Sequence, residues 1–223
     1  MHGNRQVWWL LRDIGIICAA VLFISSVTGY AAKEFVRPVA RPAATYPAHD
    51  AHPDEGVTVA VDPYDMPEKA QIFTTNYGEQ GLLPVLVIIS NDSDQPVSLT
   101  DMKAQFRTAD RTKIPPSDAD GIYRRLAHPK RNDSPSYPLP FPRKKAKGAV
   151  NQKTMDEIQA AMFSARAVEP HSTQSGFMFF DVSGISAPLA GANFYLTGVR
   201  NSKGNDLMYF EVQLEKYLTA PTR

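Results

Sequence analysis

LLPVLVIISNDSDQPV, residues Leu82 to Val97, is the most constrained stretch of this chain. In an extended segment Val85, Val87 and Ile89 fall on one face and Leu86 and Ile88 on the other. Both faces are therefore apolar, the pattern of a strand in the middle of a covered sheet. Asn91, Asp92, Ser93 and Asp94 follow, and their side chains bond their own backbone and favour a turn. Pro96 cannot donate to a ladder, so it belongs at the entry of the next strand.

Outward from this strand, Val57, Val59 and Val61 alternate with Thr58 and Ala60, which predicts a half-buried first strand and a domain that begins at Val57. Asp65-Met66-Pro67-Glu68 has the form of a capped helix start, with a short helix to about Thr74. Val97 and Leu99 share one phase while Met102, Ala104 and Phe106 share the other, which predicts a bulge near Thr100 and Asp101. Ser117 and Asp120 would cap a second helix carrying Ile122, Tyr123 and Leu126. Thr154 and Glu157 form a capping-box pair before the stripe Ile158, Ala161, Met162 and Ala165. Three strands close the chain, from 176 to 182, 192 to 199 and 207 to 214, and Asn201 to Asn205 joins the last two as a hairpin. The expected fold class is mainly β: an immunoglobulin-like antiparallel β-sandwich with short helices in its connections, over residues 57–215. Residues 216–223 read as a tail.

The N-terminus addresses the compartment. Arg5 and Arg12 precede an uncharged run from Ile14 to Ala32, and Gly29-Tyr30-Ala31 offers small residues for a signal peptidase, so residues 1–31 read as a signal peptide cut after Ala31. The alternative is a retained membrane anchor, since residues 14–32 at a helical rise of about 1.5 Å reach roughly 28 Å. Either way the domain is exported, to the periplasm or cell surface, and in the second case it is tied to the inner membrane. Cys18, the only cysteine, lies in this run after Ile17, which does not meet a lipobox, and leaves the domain without a thiol for a disulfide, a thiolate metal site or catalysis. Pro38, Pro42, Pro47 and Pro53 recur through residues 32–56, which read as a Pro/Ala-rich linker. The 24 basic and 23 acidic residues nearly cancel, so a charged partner must be recruited by a local patch.

One such patch stands out. Arg124, Arg125, Lys130, Arg131, Arg143, Lys144, Lys145 and Lys147 fall in one stretch against a single acid, Asp133. Within it the prolines from Pro135 to Pro142 favour polyproline II and display Tyr137 and Phe141. The segment 127–150 is thus a candidate arm for anionic lipid headgroups, an acidic envelope polymer or a partner groove. The bland reading is a solvated loop whose charges keep the domain soluble. Nucleic acid is a poor target, for want of a stacking platform on a recognisable sheet motif.

Signals for chemistry are weaker. His49-Asp50-Ala51-His52-Pro53-Asp54-Glu55 gathers metal-type ligands, but in a linker nothing would fix their geometry, so no metal is assigned. Asp118-Ala119-Asp120-Gly121 opens like a calcium loop and then lacks the later ligands. Ser175 and Ser183 sit beside glycines without a nucleophile elbow, and His128 and His171 are the only histidines after residue 56. No cofactor is implied.

Gly81 to Val85 running into Ser90 to Val97, with Gly176-Phe177-Met178-Phe179-Phe180 later, resembles bacterial extracytoplasmic immunoglobulin-like domains in which a strand ending in an Asn-rich turn is followed by a Gly-aromatic strand. The resemblance covers about Val57 to Leu214 and implies a sandwich outside the cytosol, with no catalytic residue to carry over. The antibody-type cysteine pair and core Trp are missing. The expected function is a non-enzymatic interaction module acting by protein or cell-envelope contact. The alternatives are a membrane-anchored accessory subunit of an envelope secretion or transport assembly, and a hydrolase whose site assembles only in the fold.

Overall fold

The computed structural model describes residues 34–128 and 151–220. Residues 82–91 form β3 (Leu82–Asn91), buried along its whole length. It pairs antiparallel on one side with β2 (Val57–Pro63) and on the other with β8 (Ser172–Asp181), and β1 (His49–His52) completes the order β1-β2-β3-β8. Asn91 ends the strand as its side chain predicts. Its Oδ1 accepts from the Ser93 amide at 3.1 Å, while its Nδ2 donates to the carbonyls of Gln95 at 2.8 Å and Val168 at 3.1 Å.

The two apolar faces of β3 meet different layers. Leu83, Val85, Val87 and Ile89 join Val57, Val59 and Val61 of β2 and Met178 and Phe180 of β8. They pack on a second antiparallel sheet, β10-β9-β5-β6, made of β5 (Lys103–Arg107), β6 (Lys113–Ile114), β9 (Asn193–Thr197) and β10 (Phe210–Gln213). Phe106, Phe194, Leu196, Phe210 and Val212 are its inward side chains. This is an antiparallel β-sandwich, with a two-stranded ladder of β4 (Val97–Ser98) and β7 (Ala167–Val168) beside it. On the opposite face, Leu82, Leu86, Ile88, Phe177 and Phe179 are covered by helix α2 (Ala119–Ala127) and helix α3 (Gln152–Ala161). Phe73, Tyr77, Ala43 and Tyr46 complete that cover. Because of this second cover, β2 is buried on both faces rather than half-buried, with only Asp62 partly open.

The linker expected over residues 32–56 is corrected by its contacts. Phe35 stacks on Phe73, with ring centroids 5.3 Å apart and planes 7° from parallel. Arg37 donates to the carbonyls of Ala160, Met162 and Ser175, which caps the C-terminal end of α3. The Ala43 amide donates to Ser90 Oγ at 2.8 Å, and His49–His52 then pairs with β2. Apart from a 3-10 turn at Ala43–Thr45 and a turn over 53–56, the described part of this stretch has no helix. A chain of this kind with a few well-placed apolar side chains can also line a groove and add a strand, so the folded body includes residues 34–56 and does not start at Val57.

Several local expectations shift in the same way. The phase change near Thr100 and Asp101 is no bulge: the chain turns out of β4 and enters β5 in the other sheet, with the Met102 amide on the Leu99 carbonyl at 3.1 Å. Helix α1 (Pro67–Ala70) is only four residues long, and Asp65 does not cap it but accepts from the Tyr217 hydroxyl at 2.7 Å. The cap of α2 is Asp118, accepting from the Gly121 amide at 2.7 Å. Asn151, not Thr154, caps α3. Glu157 is thereby released from a capping role and turns inward, where it accepts from the Thr74 amide at 2.6 Å, the Thr74 hydroxyl, the Thr75 amide at 3.2 Å and the Tyr77 hydroxyl at 2.9 Å. The expected tail holds helix α4 (Glu215–Leu218), whose Tyr217 ring and the Tyr64 ring lie 4.7 and 4.8 Å from the Lys69 ammonium. The β9–β10 hairpin forms as expected, and Phe210, Val212 and Leu214 are buried while Met208 is 68% exposed.

Two measurements test this packing. A Cβ at Gly176 would lie 2.4 Å from the Phe163 Cα, where the Phe163 amide bonds the Phe177 carbonyl. Gly176→Ala should therefore cost about 3 kcal/mol in chemical denaturation and lower Tm by roughly 6–12 °C. Burial raises the phenols of Tyr64, Tyr77 and Tyr217, and the adjacent carboxylate of Glu157 raises Tyr77 further. The unfolded chain releases these protons above the ordinary value of 10.0 and the folded chain keeps them, so stability is complete below that value and falls as pH rises past it. Tyr77→Phe should flatten the alkaline decline in unfolding free energy, and an equally steep decline would contradict the assignment.

Candidate contact surfaces

The sequence-selected arm is rooted in the helical layer. Helix α2 carries Arg124 and Arg125 in its last turn, and His128 closes it through its amide on the Arg124 carbonyl at 3.0 Å. The two arginines have different fates. Arg124 is exposed. Arg125 has a side chain only 12% open, and its Nε donates to the Gln80 carbonyl at 2.8 Å while its Nη2 meets Ser183 Oγ and, at 3.4 Å, Asp181 Oδ1. It clamps α2 to the end of β8, so its charge is already engaged. Lys130, Arg131, Tyr137, Phe141, Arg143, Lys144, Lys145 and Lys147 lie outside the described residues. The chain re-enters the description at Asn151, the cap of α3, which packs through Ile158 and Ala161 beside Ile122 and Leu126 of α2. Departure and return thus share one layer.

The other sequence candidates resolve into structural contacts. His52 stacks on Phe210 at 4.1 Å, with Nδ1 3.0 Å from Glu55 and Nε2 3.4 Å from Asp50. Asp50 Oδ2 accepts from the Glu211 amide at 2.9 Å and Glu55 Oε1 from the Met208 amide at 3.1 Å. These acids occupy backbone donors at the free edge of β10, where an open edge would invite another strand. His171 pairs with Asp94 at 2.9 Å on the surface, and Ser183 is held by Arg125 and Asp181. Among the described residues no group of three or more His, Cys, Asp or Glu side chains is placed to hold a metal ion, and no helix is long and apolar enough to cross a membrane. The segment 14–32 lies outside those residues.

Sequence reasoning missed the outer face of the second sheet. In 103–107 and 193–197 the alternate positions point inward as Ala104 and Phe106, Phe194 and Leu196, so Lys103, Gln105, Arg107, Asn193 and Tyr195 point outward. The register sets Glu211 opposite Tyr195 and Tyr195 opposite Gln105; it also sets Lys113 opposite Arg107. Glu211 accepts from the Tyr195 hydroxyl and from Asn193 Nδ2 at 3.0 Å. That bond to Glu211 is the main cause holding the Tyr195 phenol above its ordinary value. The Arg107 guanidinium lies 4.3 Å from the Tyr195 ring centroid, and its Nε is buried without a hydrogen-bond partner. Tyr209, 53% exposed, has its ring 6.3 Å from that of Tyr195. The signal was available in the alternation of both strands, but single charged residues at alternate positions are also what any wet sheet face shows.

No family model and no curated protein matches the chain. Among solved structures it is similar to MPT63, a secreted protein from Mycobacterium tuberculosis, at 13% identity over 78% of this chain and 97% of that one, with a TM-score of 0.33. At that TM-score the likeness adds nothing to the fold already described.

The two roles in α2 separate by mutation. Arg125→Ala should cost about 2 kcal/mol, because it strips charged hydrogen bonds from partly buried partners. Arg124→Ala should change stability by less than about 0.5 kcal/mol. Equal losses in denaturant titrations would refute the division.

Proposed function

We propose that this chain is an exported, non-enzymatic β-sandwich module that works by contact with an envelope protein or an anionic envelope component. Its leading contact segment is 124–147. The observation that supports this most directly is the rooting of that segment. Two helices fixed on the central sheet bracket it, Arg125 is spent on fixing the first, and Arg124 beside it stays open to solvent. A concentrated positive charge presented from a rigid base attracts anions without ordering the base on binding. The placement of His52, His171 and Ser183 in structural contacts supports a binding role over a catalytic one. Export rests on the basic start and the uncharged run of residues 14–32, with the periplasm or cell surface as destination.

The test replaces Arg143→Gln, Lys144→Gln, Lys145→Gln and Lys147→Gln together and compares retention on native envelope material. The expected result is loss of retention with an unchanged melting transition. Equal retention of both proteins removes the segment as the contact.

A further inference from the structure

We propose that the outer face of the sheet β10-β9-β5-β6 is a second docking surface, and that its partner is a carboxylate-rich extended protein segment lying along β5. This surface is independent of the basic arm, because the central sheet separates it from α2 and α3.

Charge gives the first argument. Lys103, Arg107 and Lys113 share this face, and Glu211 is their one facing carboxylate in the paired register. Glu211 is taken up by Tyr195 and Asn193. Elsewhere several described cations of the fold are matched, Lys69 with Asp62, Arg125 with Asp181, Arg200 with Asp101 and Asp206, and Arg37 with main-chain carbonyls, while Arg124 stands alone on its helix rather than in a row. Among the described residues, none of the three on this face makes an ion pair. An unmatched cationic row on an ordered sheet complements an anionic partner.

Order gives the second. Arg107 is not a waving surface group. It is laid on the Tyr195 ring, whose hydroxyl is fixed by Glu211, and one of its nitrogens is buried without an acceptor. The guanidinium is therefore held in place before any partner arrives, which lowers the ordering cost of docking. Arginine and tyrosine packed together in this way are the side chains that most often anchor protein interfaces.

Spacing gives the third, and it selects the form of the partner. Lys103 and Arg107 lie four residues apart on one face of β5, about 13 Å at strand rise. An extended segment repeats the same side at the same interval, so carboxylates at every second position bring two of them over these two cations. Lys113, directly opposite Arg107, thickens the charge at one end. A fluid headgroup layer has no such repeat to match.

The probe is a fluorescein-labelled peptide of alternating Glu and Ser, read by anisotropy against the full chain carrying the four glutamine replacements in the arm. That background removes the basic cluster 143–147 of the arm, and the sheet variants are compared within it, so failure here and failure of the arm as contact are separate results. Binding is expected and should weaken steeply with salt. Lys103→Glu with Lys113→Glu should weaken it roughly tenfold or more, Lys103→Gln with Lys113→Gln by an intermediate factor, and all should melt as the parent does. A peptide of alternating Lys and Ser should not bind. The proposal is overturned if the arm-neutralised protein ignores the acidic peptide, if charge reversal leaves the affinity unchanged, or if phosphatidylglycerol vesicles capture the protein in preference to the peptide.

Discussion

The structure depends on covering both faces of one strand. A ten-residue strand with no exposed position cannot sit in a two-layer sandwich, since one side would face water. The second sheet supplies the cover for Val85, Val87 and Ile89, and a layer of helices, turns and extended chain supplies it for Leu82, Leu86 and Ile88. The second cover is assembled from pieces too short to be stable alone. Charged side chains bonded to main chain hold it: Glu157 grips the turn at Thr74 and Thr75, Arg37 the end of α3, and Arg125 the turn at Gln80. Each of these groups is buried or half-buried and finds acceptors or donors there, the condition under which a buried charge is tolerated.

The sandwich was legible in the sequence because period-two alternation and the two apolar faces of residues 82–91 report burial directly. The closing hairpin was legible from its turn residues. Helix caps were less so: Thr154 and Glu157 have the right spacing, but a buried cluster of donors at Thr74, Thr75 and Tyr77 competes for the same carboxylate and wins. The strand β1 was hidden because its polar residues face the edge of β10 rather than a core, and polarity together with prolines reads as linker. The cationic sheet face was hidden for a different reason. Its cations lie close together in sequence, in β5 and β6, but the residues that order them, Asn193, Tyr195 and Glu211, come from the distant strands β9 and β10, and only the register places Arg107 beside Asn193 and Lys113.

The two proposed surfaces differ in how they gather charge. The arm concentrates it along one stretch of sequence, whereas the sheet face gathers it from two paired strands, β5 and β6, and orders Arg107 by aromatic stacking. The helices that root the arm and the outer face of the second sheet lie on opposite sides of the central sheet, so the two proposals call for two partners rather than one flat surface.

The docking of Phe35 and Arg37 bears on the order in which the chain folds. Near the start of the described chain these side chains are already committed to partners far along it: Phe35 to Phe73 and Phe177, and Arg37 to the carbonyls of Ala160, Met162 and Ser175. In synthesis from the N-terminus most of those partners emerge late. The helical layer can therefore close over the central sheet only when most of the chain has left the ribosome, so the earliest described residues are among the last to be seated.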